Sequence, residues 1–263
     1  MPVNAWDNRS STSSYASSDA RMKLFQYWDQ PAPPDEVALW IEGFRSRNPE
    51  LSHQLFHRDE ASLFIRKHFG EREQRAFDAC AVPSMQSDYF RYCVLERSGG
   101  VYADADYQSG EPLAQLLAKA PHALLLEWRG QWVGGLMMFR APGDPFVRAC
   151  LELTTQNIEG RYFDNAFTAT GPGVINALRL LLDPSSEAAI MKGLDNPYGR
   201  TWRFPELVAK ARATVSLTKE LRASFDAITV MHHLQVERWI GTEQPAYKKT
   251  PRHWLHWEGQ VYR

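Results

Sequence analysis

The stretch from Ser87 to Tyr107 constrains this chain most. It reads as a helix, a Gly99-Gly100 stop, and a short apolar strand that ends in Asp104 and Asp106. On an extended strand those two carboxylates share one face. Val101, Ala103 and Ala105 take the other, where small apolar side chains pack against a core. A helix fed through a tight stop into a buried strand belongs in a layered α/β domain. Two carboxylates presented together suit a hard divalent cation, which prefers oxygen ligands. An Asp-x-Asp triplet by itself arises about once by chance in a chain like this, so a solvated acidic turn stands beside the metal reading.

The flanking sequence supports the α/β class. Lys23 to Trp28 reads as a first strand, broken by Pro31, Pro33 and Pro34. Val37, Trp40, Ile41 and Phe44 fall at helical spacing after Asp35 and stop near Asn48-Pro49. Ser52 to His57 is a second strand, and Asp59 opens a helix that stops at Gly70. A polar helix over Glu71 to Ala79 follows, and Pro83 opens the helix of the central stretch. Further on come a short helix over Pro112 to Leu117 and strands over Ala123 to Glu127 and Val133 to Arg140, with a turn beside Gly130. Asp144-Pro145 starts a helix running to about Ile158. Another helix spans Val174 to Leu182, and a strand over Ala227 to Met231 delivers His232-His233. Residues 183–224 give mixed signals and receive no assignment. The tail from Gln244 reads as loops and a short strand. Asn8 to Ala20 is Ser-rich, so residues 1–21 are read as a disordered leader and 22–263 as a single domain.

At 263 residues the chain is long enough to bury a core without disulfide or metal staples. Its net charge of -1 gives no field for nucleic acid. No apolar run reaches the ~18 residues of a membrane span. Cys80, Cys93 and Cys150 lack metal-ligand or redox spacing and read as reduced structural thiols, which points to a cytoplasmic setting.

Several residues around the central stretch carry chemistry. Asp88 and Arg91, three apart on a helix, form either an intrahelical ion pair or a grip on phosphate or sugar hydroxyls. One of His232 and His233 faces the cleft side of its strand end and is able to ligate a metal, or both are structural. Trp28 is either a core aromatic or a platform for a nucleobase. Thr170-Gly171-Pro172-Gly173 is either a plain helix entry or an anion site where backbone approaches a ligand closely. The chain has no P-loop, dinucleotide fingerprint, His-Glu-x-x-His motif or nucleophile elbow.

Together these motifs resemble a known family. Ser87-Asp88-x-x-Arg91-Tyr92 followed by Gly99-Gly100-Val101-Tyr102-x-Asp104-x-Asp106 is similar to the signature of the DXD-containing sugar transferases of glycosyltransferase family 32. That family includes outer-chain mannosyltransferases and capsular polysaccharide enzymes, and clostridial glucosylating toxins share a related core. Lys23 to Trp28, Asn48-Pro49, Pro142 to Pro145, Thr170 to Gly173, and His232-His233 with Trp239 extend the resemblance over nearly the whole chain. Where the family commonly carries Asn, this chain has Gly134-Gly135.

The resemblance implies a GT-A-like sandwich, a mixed sheet flanked by helices. It implies a metal-dependent, retaining transfer of a hexose from a UDP- or GDP-sugar to a glycan or glycoconjugate. The alternatives are a toxin-like transfer to protein and a non-catalytic nucleotide-sugar-binding module. By the same resemblance Trp28 stacks on the base, and Asp88 and Arg91 hold the sugar. Asp104 contacts ribose or metal-bound water, Asp106 ligates Mn2+ or Mg2+, and His232 completes the metal site. Gly171 borders the donor, and Trp239 lies in a loop closing over it. Peripheral association with the inner face of a membrane is compatible with this reading.

Overall fold

The computed structural model describes residues 21–194, 203–241, 243–250, 253, 256–257 and 259–263. The Ser-rich leader therefore lies outside the described residues, except for Arg21. In chain order the elements are β1 (Lys23–Tyr27), α1 (Asp35–Arg47), β2 (Ser52–Phe56), α2 (Arg58–His68), α3 (Glu71–Ala79), α4 (Pro83–Ser98) and β3 (Gly100–Ala103). Then follow α5 (Ala114–Leu117), β4 (Ala123–Trp128), β5 (Gln131–Phe139), α6 (Pro145–Glu159), α7 (Ala166–Ala169), α8 (Pro172–Leu182) and α9 (Glu187–Leu194). The last are α10 (Phe204–Thr214), α11 (Lys219–Asp226), β6 (Ile228–His232) and α12 (Glu237–Ile240). Helices α9 to α11 fill the region where the sequence carries no clear pattern. Among the described residues, the strand expected in the tail reduces to a single bridge between Cys80 and Tyr262.

The strands form one mixed sheet in the order β2-β1-β3-β5-β4-β6, flanked by helices, which is the expected α/β architecture. β1 is parallel to β2 and β3, β5 runs against β3 and β4, and β6 is parallel to β4. Every strand except β5 therefore ends at the same edge. The period-two alternation divides the interior into two layers. Tyr102, Leu125, Met137 and Phe139 enter the large core under α4, α6 and α8. Val101, Ala103, Leu124, Leu126, Leu136 and Met138 enter a smaller core with Phe44 and Trp239.

Helix α4 is the spine of the large core. From Met85 to Leu95 it is buried almost all round, so its polar members must find partners inside the protein. It ends at Gly99 (φ 61°), where an added Cβ would lie 2.9 Å from the Arg140 carbonyl oxygen. Gly100 (φ 101°) would put one 2.7 Å from the carbonyl oxygen of Lys23. Only glycine combines these left-handed angles with so close an approach. The double glycine thus packs helix and strand tightly and fixes where β3 points.

Candidate active site

The strand ends converge on a cleft of about 620 Å³. Its lining includes Trp28 after β1, Asp104 and Asp106 after β3, Trp128 at the end of β4 and His233 after β6. Asp88 and Arg91 reach it from α4, and Gly134-Gly135 from the start of β5. Ligands of open α/β sheets bind at this kind of edge.

The carboxylate pair does not sit on a strand. β3 stops at Ala103, and the Asp104 amide still bonds to the carbonyl of Gly135 at 2.7 Å. The chain then turns, with the Tyr107 amide donating to the Asp104 carbonyl at 3.1 Å. The pair is thus held by a turn, and Ala105 packs beside Trp28 in a small separate cluster.

Arg91 ties the site together. Its Nη2 donates to Asp104 Oδ1 at 2.8 Å, lies 3.1 Å from Asp88 Oδ1, and donates to Ser87 Oγ at 3.3 Å. The guanidinium also lies over the Tyr102 ring. Asp88 Oδ2 accepts a bond from the Thr170 hydroxyl at 3.0 Å. Asp88 and Arg91 therefore form the expected intrahelical pair, and the pair is also part of the cleft wall. On the other side, Lys248 Nζ lies 3.1 Å from Asp106 Oδ2, which also accepts a short bond from the Tyr247 hydroxyl.

Three carboxyl groups thus meet two cations. Burial pushes the Asp104 carboxyl up to about 7, against the pull of Arg91 and with the push of Asp106 and Asp88. Burial likewise raises Asp88, opposed by Arg91 and Thr170. Burial works against the charge on Arg91, but Asp104 and Asp88 outweigh it and raise its affinity for the proton.

The other expected site residues divide. Trp28 lines the cleft, is buried, and has an indole Nε1–H without a hydrogen-bond partner. The ring of Tyr247 meets it edge-on at 5.2 Å. Gly171 stands behind the wall, where an added Cβ would lie 3.1 Å from Asp88 Oδ2. The Nδ1 of His232 accepts the Leu234 amide, capping a short 3-10 turn, and its neighbour His233 lines the cleft. Trp239 needs correction. It lies in α12, 1% exposed in the smaller core, rather than in a loop over the cleft. Among the described residues no cluster of three His, Cys, Asp or Glu side chains is arranged to hold a metal.

Sequence reasoning missed Tyr107, Tyr247 and Lys248. The last two come from a polar segment with no periodicity. Gly134-Gly135 acquires a physical role: a Cβ on Gly134 would lie 2.3 Å from Arg91 Nη1, and one on Gly135 would lie 1.9 Å from the Tyr107 hydroxyl. The two glycines leave room for these side chains beside Asp104.

A helix-flanked mixed sheet with an Asp-x-Asp pair at its functional edge is the arrangement expected of the DXD sugar transferases. In comparison with known proteins, residues 18–123 are similar to the family described as "Glycosyltransferase sugar-binding region containing DXD motif". The chain is 23% identical over 182 residues to HOC1 of Saccharomyces cerevisiae, provisionally named a glycosyltransferase, covering 57% of this chain and 46% of that one. It is 28% identical over 75 residues to the initiation-specific alpha-1,6-mannosyltransferase of Schizosaccharomyces pombe, covering 27% of this chain and 19% of that one. The chain thus spans less than half the length of these curated relatives. Among solved structures, PaToxG Glycosyltransferase superposes with a TM-score of 0.49 at 13% identity, covering 92% of this chain and 88% of the other.

Proposed function

We propose that this chain is a metal-dependent, retaining glycosyltransferase that moves a hexose from a nucleotide-diphosphate sugar to a glycan or glycoconjugate. The observation that carries this reading is the convergence of Trp28, the Asp88–Arg91 pair and the Asp104–Asp106 pair on one cleft. Mannose is the first sugar to test, because one matched relative is named a mannosyltransferase.

The donor set fits a divalent cation. Asp104 and Asp106 supply hard oxygens on one wall of the cleft. Mg2+-like ions are commonly held by one or two carboxylates with substrate phosphates completing the shell, so a third protein ligand is not required. When bound, Mn2+ or Mg2+ supplies positive charge for the diphosphate as the sugar–phosphate bond breaks.

The chain's own residues supply the rest. With the Tyr247 ring moved off it, Trp28 would offer its ring to the base and its indole N–H to a polar group of the nucleotide. Arg91, held by Asp88 and Asp104, offers donors to the sugar or the diphosphate. Thr170 fixes Asp88 so that its remaining acceptor capacity faces the sugar hydroxyls. Attack on the same face as the departing diphosphate is the preferred retaining route, with Asp29 and Glu237 the further carboxylates among the described cleft residues. No described helix is long and apolar enough to cross a membrane. We place the activity in the cytoplasm, with its acceptor within reach of a membrane surface.

The test is Asp106→Asn. The purified variant is expected to keep its thermal transition within a few degrees of wild type and to lose Mn2+-dependent turnover of UDP- and GDP-sugars. Full retention of that turnover overturns the reading.

A further inference from the structure

The acceptor side of the cleft is assignable from the strand order. Trp28 follows β1, Asp104 and Asp106 follow β3, and Trp128 ends β4, with β3 and β5 lying between β1 and β4. Three interstrand spacings, roughly 14 Å, separate the β1 and β4 ends of the edge. A donor with its base at Trp28 and its diphosphate at the carboxylates uses the β1–β3 half. The β4–β6 half of the same cleft is left for the other substrate.

That half is built around an aromatic surface. Trp128 lines the cleft yet is 51% exposed. Core packing does not explain a large indole left open at a cleft rim. Leu234, 64% exposed, is carried beside it, because β6 is parallel to β4 with His232 opposite Glu127. The guanidinium of Arg129 lies 4.9 Å from the Trp128 ring centre. Gln131 and Glu237, also on the lining, add polar groups suited to hydroxyls.

The turn that carries the platform is held in place, and it is made at a cost. Trp128 pairs with Gln131 across a two-residue turn in which Arg129 and Gly130 both have positive φ, 53° and 83°. Such turns favour Asn or Gly first, and an arginine there is strained. Gly130 is pinned from two sides. Its carbonyl accepts from Arg179 Nη1 at 2.9 Å, and an added Cβ would lie 2.4 Å from the Ala189 carbonyl oxygen. A strained arginine lying over a half-open indole at a cleft rim is the kind of feature that marks binding sites.

We propose that the β4–β5 hairpin is the acceptor subsite, with a carbohydrate ring stacked on Trp128 and its hydroxyls or acidic groups held by Arg129. The inference rests on the transferase reading above. An amphipathic ring face suits an apolar sugar face with polar edges, and the planar guanidinium offers several donors to oxygens.

The probe is an array of neutral and acidic oligosaccharides, read beside donor hydrolysis in the absence of acceptor. Trp128→Ala is expected to keep wild-type donor hydrolysis and thermal stability while glycan binding falls about tenfold, the scale of one lost aromatic stack. Trp128→Phe is expected to recover part of the binding. Arg129→Gly relieves the strained turn, so its melting temperature is expected to hold or rise while glycan binding weakens, a split that a merely structural role would not produce. Wild-type protein that binds no oligosaccharide, or a Trp128→Ala variant that binds as wild type does, overturns the subsite. If wild type hydrolyses no donor but its glycan binding still depends on Trp128, the subsite stands and the transferase reading falls.

Discussion

A Cβ on Gly135 would lie 1.9 Å from the Tyr107 hydroxyl and 3.0 Å from Asp104 Oδ2. Tyr107 and Asp104 border the cleft and cannot both keep their places beside a methyl group. Gly135→Ala is therefore expected to cost about 1–3 kcal/mol of stability, the usual scale of overpacking. It should also lower donor turnover by at least about tenfold, since small misplacements of reacting groups are costly. Urea titration and donor hydrolysis measure the two effects; turnover equal to wild type would show that the carboxylate tolerates displacement. At this scale the sequence was legible where a residue's role is local. Asp88 and Arg91 are neighbours on one helix by spacing alone, and the structure pairs them. It was illegible where a role depends on distant chain. Nothing in the tail identifies Lys248 as the partner of Asp106, 142 positions earlier, because an ion pair across the fold leaves no periodic trace.

Helix α8 carries an example of one element completing another. The Asn176 side chain accepts from the Trp132 amide at 3.0 Å and donates to the Trp132 carbonyl at 2.9 Å, so it acts as a missing strand partner at the start of β5. A further bond to the Pro172 carbonyl at 2.8 Å holds the amide in place. Asn176→Leu would leave buried backbone groups unpaired and is expected to destabilise the protein by about 2–4 kcal/mol, from one to two penalties of this kind. A shift in the urea midpoint with unchanged slope would register it, and a change within error would show that the backbone finds other partners. Elements with strong start and stop signals were readable in advance. Asp144 accepts from the amides of Phe146 and Val147, as its place before Pro145 predicts. The carboxylate stretch departs from its sequence pattern in one respect. Alternation extends the strand through Asp106, whereas the turn closed by Tyr107 ends it at Ala103. Alternating small apolar and acidic residues fit both conformations, and only tertiary bonds to β5 and α4 choose between them.

For the whole molecule, the α/β class and the gathering of strand ends at one edge follow from the order of helices and strands. The wall formed by residues 243–250 does not. Its Tyr247 meets both Trp28 and Asp106, Lys248 holds the same carboxylate, and the Ala246 amide bonds to Glu36 Oε2 at 3.0 Å. On the proposed reading, the segment occupies the ground on which both the nucleotide and the cation would rest. Lys248→Ala is expected to bind Mn2+ more tightly than wild type in the absence of donor, by about five- to tenfold, because a competing positive charge is gone. Manganese titration followed by electron paramagnetic resonance reads this directly, and an unchanged or weaker affinity would count against competition. The consequence reaches beyond one variant. Displacing a single segment opens two binding places at once, so whichever ligand arrives first bears the work of displacement and the second is spared it. Mn2+ and a nucleoside diphosphate should then enhance each other's affinity reciprocally and by the same factor, as linkage requires.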